Sequence, residues 1–415
     1  MSESTPAVSV VIPTHDRSAT LRRTLDALCE QTFALRKVEV IVIVDGSSDS
    51  TMEMLSGYTA PFTLRIIEQS RQGPAAARNN GAAEAYGKWL IFIDDDIETI
   101  PSFIEAHVCA HQHYPGHVII GYLPLVFHGN SGFFHHELRI WWENMFHLMR
   151  RPGHRYRFNN LLSGNFSVET EIFKQIGGFN TDFWCHEDYE LGVRFIKAGI
   201  PFAFAHDAIG YHHESTDLGR SLSRKYEEGK ADVLMGFCHP EMRLTLPLGR
   251  FRTPVLSIRN LFFTLAFRWP AAGNILDALL QNILDLFERK NLRGFWLRIL
   301  NYRLTYHYWV GVAEELGTEK ALADFLKDYL PNVDTGIEEI NIDLHAGLEE
   351  AEQRLDNERP AGAFIYYGKY LVGHIYSQPG TEQLRGIHLR RVLATDLARP
   401  LLKALAIEGL VDIKY

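Results

Sequence analysis

The chain has 415 residues, 46% hydrophobic and 22% charged, with a net charge of −9. That length and composition support cores for two or three domains, and the acidic balance excludes a general nucleic-acid binder. Cys29, Cys109, Cys185 and Cys238 form no close pair, which excludes a disulfide framework and a cysteine zinc site and suits a reducing compartment.

The N-terminus is polar and carries no basic segment followed by an apolar stretch, and no apolar run reaches about 18 residues. The expectation is a cytoplasmic protein, with peripheral contact on the inner face of a membrane left open. Val8–Ile12 is a β-branched run stopped by Pro13. Ser18 can cap a helix whose Leu21, Leu25 and Leu28 recur on one face. Val38–Val44 is a second strand, broken by Asp45-Gly46-Ser47-Ser48, and the polar stretch Asp49–Ser56 starts another helix. Phe62–Ile67 is a third strand, Ala75–Tyr86 an alanine-rich helix, and Trp89–Ile93 a fourth strand. Unbroken apolar strands alternating with helices predict a parallel sheet covered on both faces. Val118–Phe127, Asn165–Val168 and Phe202–Ala205 read as further strands, with a helix over Asp188–Ala198 ended by Gly199. Residues 220–330 read as amphipathic helices. An acidic stretch, Glu338–Glu358, then leads to a basic piece with a leucine-rich helix near Leu401–Leu405.

The most informative feature is Asp94-Asp95-Asp96, closing the apolar run Trp89–Ile93. On an extended backbone Asp94 and Asp96 project to one face and Asp95 to the other. Converging carboxylates repel unless a cation or a proton separates them. A hard divalent cation with a phosphate-bearing ligand meets that need. Ligands of such sheets bind beyond the carboxyl ends of the strands, where Pro13-Thr14-His15-Asp16, Asp45-Gly46 and the aspartates all lie. No Gly-x-Gly-x-x-Gly follows the first strand, and no phosphate-loop Gly-Lys-Ser/Thr occurs.

Six segments stand in order: Val10-Val11-Ile12-Pro13-Thr14 with Asp16-Arg17; Val42-Ile43-Val44-Asp45-Gly46-Ser47-Ser48-Asp49; Gly73-Pro74-Ala75-Ala76-Ala77-Arg78-Asn79-Asn80-Gly81; Phe92–Asp96; Gly177-Gly178-Phe179; and Glu187-Asp188. Over Val8 to about His213 the chain resembles glycosyltransferase family 2, the inverting transferases of GT-A fold. The resemblance implies an α/β fold, a Rossmann-like mixed sheet with helices on both faces, followed by a mostly helical C-terminal region. Three parts are expected: 1–217 the transferase domain, 218–335 a helical extension, and 336–415 an α-rich region of unassigned role.

It implies that Pro13, Thr14 and Asp16 surround the nucleotide of a donor and that Asp45 accepts a hydrogen bond from its base. Arg78 approaches the base or diphosphate, and Asp94 and Asp95 lie at the donor. Asp96, with Asp94, ligates a divalent metal, Mn or Mg, and Asp188 is the catalytic base. His212-His213 stands where the family places a further metal ligand; alternation lets one of the pair face the site, and His212 is the expected one.

The chemistry asks for these parts. Charge develops on a leaving diphosphate, where a cation lowers the barrier. A carboxylate within hydrogen-bond reach takes the proton of the attacking hydroxyl, and a helix start keeps it ionised. The function implied is transfer of one sugar from a nucleoside-diphosphate sugar, by default a UDP-sugar, to an acceptor hydroxyl. The Gln-x-x-Arg-Trp element of processive members is absent. The acceptor is open: saccharide, lipid carrier, peptide or small molecule. So is a homodimer through the C-terminal half. Two other readings stay open, a non-catalytic sugar-nucleotide-binding scaffold and a sugar nucleotidyltransferase.

His107, His111, His113 and His117 suggest zinc, but no carboxylate stands at the expected place, so packing or surface roles are expected. The aromatic stripe from Phe133 to Phe146 reads as core before acceptor platform. Arg150-Arg151, Arg155 and Arg157 read equally as phosphate contacts or a solvated basic loop. The apolar cluster Leu261–Trp269 reads as packing within the helical part, ahead of membrane docking.

Overall fold

In the computed structural model, residues 6–129, 132–251, 258–327 and 339–411 are described. The expected boundary at 335–336 lies outside them. The first half alternates strand and helix: β1 (Val8–Thr14), α1 (Ser18–Cys29), β2 (Val38–Asp45), α2 (Thr51–Ser56), β3 (Thr63–Gln69), α3 (Pro74–Ala83), β4 (Trp89–Ile93) and β5 (Ile97–Thr99). Then come α4 (Phe103–His113), β6 (Val118–Tyr122), β7 (Leu125–Phe127), α5 (Phe133–Met149), β8 (Asn165–Glu169), α6 (Thr170–Gln175), α7 (Glu187–Lys197) and β9 (Phe202–Glu214).

The strands form one sheet in the order β3-β2-β1-β4-β8-β6-β9-β5, with β7 also on β9. β1 to β4 are parallel, as expected, but β8 runs antiparallel to both β4 and β6. The sheet is therefore mixed. That is the mixed sheet expected, with the parallel part confined to β1–β4 and to β9 against β6 and β7.

Alternation along the strands divides the core. Val8, Val10, Ile12, Val40 and Val42 face α1 and α4, packing with Leu21, Leu25, Leu28, Phe103 and Ile104. Val11, Ile41, Ile43, Leu90 and Phe92 face the other layer, which includes α3. Helix α3 lies close because Gly81 has no side chain: a Cβ there would stand 2.5 Å from both Ile43 Cδ1 and Val11 Cγ1. These layers hold the carboxyl ends of β1, β2 and β4 on one rim. That is the α/β architecture the GT-A expectation describes.

The extension is helical: α8 (Leu218–Cys238), α9 (Ile258–Arg268), α10 (Pro270–Arg289), α11 (Arg293–Leu316) and α12 (Glu319–Lys327). α8 and α11 cross closely through two glycines, Gly229 against the Tyr308 carbonyl and Gly311 against the Tyr226 carbonyl. Within Leu261–Trp269, Phe262 and Phe263 are buried against Tyr306 and Trp309, so packing is the larger role there. Ile275, Leu279, Ile283 and Leu286 instead form an exposed apolar line along α10. Among the described residues no helix is long and apolar enough to cross a membrane.

The last part adds a small sheet to the helices expected there. β10 (Glu339–Asp343), α13 (Leu348–Glu358), β11 (Gly362–Tyr367), β12 (Tyr370–Ile375), α14 (Gly386–Ala394) and α15 (Ala398–Ile407) form an α+β unit on a three-stranded sheet. It has its own core of Ile342, Leu355, Ile365 and Leu389. It also grips the segment leading to α7. Arg155 donates to the carbonyls of Glu382 and Ala361 (both 2.8 Å), and the Phe158 N–H donates to the Gly380 carbonyl (2.8 Å). Phe158 in turn meets α7, where a Cβ at Gly192 would stand 2.4 Å from its carbonyl.

Candidate active site

Three loops are laced together at the rim. Asp16, in the left-handed region at φ 52°, accepts from the Ser48 N–H (2.6 Å) and the Asp49 N–H (3.2 Å). Its first task is thus to tie the loop after β1 to the loop after β2. Buried Asp45 accepts from Gln69 Nε2 (2.8 Å), the Gln72 N–H (2.7 Å) and the Gly73 N–H (2.9 Å). A carboxylate offers about four lone-pair sites, so a nucleotide base would meet the remaining one. The buried Thr14 hydroxyl donates to Asp95 (2.7 Å), which commits it inward, while Pro13 before it is half-buried at the end of β1.

The aspartates correct the alternation argument. β4 ends at Ile93, and Asp94–Asp96 leave the strand in a turn, so the two-residue period no longer applies. Arg17 Nη1 donates to both Asp95 Oδ1 (3.0 Å) and Asp96 Oδ2 (2.6 Å). Asp94 is held separately by Arg78 Nη2 (2.6 Å). Part of the cation that three like charges require is therefore supplied by the chain. Burial pushes Asp95 up to about 6, against the pull of Arg17; its oxygens accept from Thr14 and Arg17. Burial works the same way on Asp96, yet His212 and Arg17 hold it below the usual carboxylate range.

Arg78 is committed within the chain. It is buried, and its guanidinium joins Asp94 to Glu187 (Nη1 to Oε1, 2.9 Å). It fastens the end of β4 to the start of α7. Asp188 follows on that first turn, half-buried. Its Oδ2 accepts from the Ser163 N–H (3.1 Å). Next to Ser163, a Cβ on Gly164 would stand 2.9 Å from Asp94 Oδ2. Asp94 and Asp188 thus converge on one backbone segment. Burial, then the charge of Glu187, raises Asp188 to about 6. A carboxylate base works ionised, so if Asp188 takes the acceptor proton, activity is expected to rise with pH through about 6. Glu187→Gln removes a neighbouring negative charge and is expected to move that acid limb lower, as read from a pH–rate profile.

Of the histidine pair, His212 faces the aspartates, with Nε2 3.5 Å from Asp96 Oδ1. Burial lowers its affinity for a proton, but Asp96 prevails and the imidazole lies above its ordinary value. His213 turns away to Glu98 (2.7 Å) and His128 (2.7 Å), so it is no ligand candidate beside Asp96. Among the described residues no three His, Cys, Asp or Glu groups form a metal cage by themselves. Asp96 Oδ1 is nevertheless buried without a hydrogen-bond partner. One orphaned carboxylate oxygen beside an imidazole fits a hard cation that takes its other ligands from substrate phosphates and water. His107 and His111 are packing residues, buried on Asn165 and Ser167. In the aromatic stripe Phe146 and Met149 are core, whereas Trp142 lies with its ring 5.9 Å from His212 and Trp141 is exposed.

Sequence reasoning gave no role to Arg17 and too exposed a one to Arg78. The only signal for Arg17 was its place directly after the Pro13–Asp16 loop.

Residues 9–177 match the model of glycosyl transferase family 2, and residues 143–215 match that described as the N-terminal domain of galactosyltransferase. Validoxylamine A glucosyltransferase of Streptomyces hygroscopicus subsp. jinggangensis is 33% identical over 51% of this chain and 57% of its own length. Glycosyltransferase AglE of Haloferax volcanii is 26% identical over 56% of this chain and 75% of its own. The match thus spans little more than half of the first of these relatives. Among solved structures, a mannosyltransferase from Pyrobaculum calidifontis in complex with GDP-Man and Mn2+ superposes over 75% of this chain and 87% of its own, with a TM-score of 0.49 and 16% identity.

Proposed function

Since the chain belongs to glycosyltransferase family 2 through residues 9–177, we propose that it moves one sugar from a nucleoside-diphosphate sugar, by default a UDP-sugar, to an acceptor hydroxyl with inversion. The observation that carries this reading is the Arg78 bridge, which sets Asp188 beside the aspartate rim at the mouth of the sheet.

The residues divide the work as follows. Asp188 takes the acceptor proton as the new bond forms. Glu187 and the Ser163 N–H fix its orientation and basicity. Asp96, with His212 beside it and Asp94 near, would hold a divalent cation, Mn or Mg. Such a cation, when bound, supplies the charge that stabilises the leaving diphosphate. Arg17, its side chain 43% exposed between Asp95 and Asp96, adds a second positive charge on the same side. The loops tied by Asp16 and Asp45 form the wall against which the nucleotide lies. Trp142, beside His212, and the exposed Trp141 are the aromatics offered to the acceptor.

Asp96→Asn is expected to weaken binding of the diphosphate at least tenfold in the presence of Mn and to leave binding in chelator unchanged, measured by titration calorimetry. Equal affinity of both proteins with Mn would contradict the cation site. Product analysis tests the stereochemistry: an α-linked donor should yield a β-linked product.

A further inference from the structure

A cavity with several basic residues in its lining lies away from the aspartate rim and shares no residue with it. Its volume is about 380 Å³, and its walls include Arg150, Arg151, His154, His206 and Arg385, with Tyr114 and Phe204 among its rings. No aspartate or glutamate lines it, in a chain whose net charge is −9. The volume falls within the range of small-molecule sites, roughly 300–1,000 Å³.

The cavity is built at a seam. Arg150 and Arg151 follow α5, and Phe202–Phe204 open β9. Arg385 and Ile387 come from the C-terminal α+β unit. Gly153 permits the seam: at φ 68° a Cβ there would stand 2.6 Å from the Ile387 carbonyl oxygen. Phe204 precedes His212 by eight residues on β9, with a break in register between Ala205 and Ile209, so the cavity lies towards the opposite end of that strand from the aspartates.

The cations differ in their commitments. Arg385 pairs with Glu382 (3.1 Å) and holds the Phe202 carbonyl (3.4 Å), while its Nε is buried without a partner. His206 leans on Asp207 (2.9 Å). Arg150 lies over the Tyr122 ring at 4.6 Å, a contact that leaves its N–H edge open to an acceptor. No carboxylate is paired with Arg150 or Arg151 among the described ion pairs. Guanidinium groups present a planar fork that matches phosphate oxygens.

We propose that this cavity is a binding site for a phosphate-bearing ligand, separate from the donor site, whose anion is held by Arg150, Arg151 and Arg385 and whose body lies against Tyr114 and Phe204. The same chemistry belongs to a free phosphorylated metabolite and to a lipid phosphate headgroup. Because each wall comes from a different part of the chain, occupancy would draw the C-terminal unit onto the 150–158 segment that leads to α7.

The test uses the full chain in chelator, which removes metal-dependent binding at the aspartates. Inorganic pyrophosphate is titrated calorimetrically, and vesicles containing phosphatidic acid are used for flotation. The double substitution Arg150→Ala with Arg151→Ala is compared, after its melting temperature is matched to the parent. Pyrophosphate binding that weakens at least tenfold in the double variant supports the site with a free ligand. Vesicle binding alone, lost in the variant, supports it with a headgroup. If the parent binds neither probe at millimolar concentration, or the double variant binds as the parent does, the proposal is overturned.

Discussion

Asp188→Asn is expected to lower transfer by about 10²–10⁴-fold, the range for loss of a positioned general base, with donor affinity nearly unchanged. The substitution keeps the shape of the side chain and the acceptance from the Ser163 N–H (3.1 Å), and it puts an amide NH2 in place of the oxygen that accepts from the Tyr189 N–H (2.8 Å). It removes the basic oxygen that meets the acceptor. The loss should therefore fall on turnover, whereas calorimetry of the nucleotide diphosphate should barely move. The residual rate should also lose its rise with pH through about 6, since the group that titrates there has gone. Parental turnover by this variant would remove Asp188 from the mechanism.

Arg78→Ala carries the largest expected cost in stability. Arg78 is 3% exposed and joins Asp94 to Glu187, two carboxylates 93 residues apart in the chain that share this one guanidinium. Truncation leaves both without that partner, and breaking a buried pair in this way costs about 3–5 kcal/mol. The expected result is a lower midpoint in urea with an unchanged slope. Activity should fall as well, because Glu187 adjoins the base. With the positive charge gone, the acid limb assigned to Asp188 should move higher, opposite to the shift expected for Glu187→Gln. A stability loss below about 1 kcal/mol, the worth of an exposed pair, would mean that the bridge is solvated.

Much of the rim was legible because strand ends are local. Apolar runs place Thr14, Asp45 and Asp94 at carboxyl ends, and the start of α7 is marked by Glu187-Asp188. What stayed hidden is set by partners far along the chain. Arg78 reads as a ligand-facing cation until Glu187, 109 residues away, is seen beside it. Nothing local in the sequence shows that backbone N–H groups of other loops already occupy part of the Asp45 and Asp16 carboxylates. Alternation failed at Asp94–Asp96 because the chain turns there, a change that three aspartates do not announce. His212 was separable from His213 because both lie within β9, where alternation still holds.

The C-terminal sheet was missed for a different reason. Acidic composition drew attention to charge in Glu339–Asp343, whose residues alternate as a strand. The hairpin Gly362–Ile375 turns at Gly368, φ 56°, and its Tyr-Gly-Lys-Tyr turn was a readable signal.

The measurement that tests the central claim most directly is calorimetric titration of UDP, GDP, TDP, CDP and ADP, each with Mn and with chelator. The account predicts that one diphosphate, by default UDP, binds with Mn and loses that affinity in chelator. Absence of binding by all five, or affinity indifferent to the metal, would contradict it and leave Asp94–Asp96 as a cluster held by Arg17 and Arg78 for the fold alone.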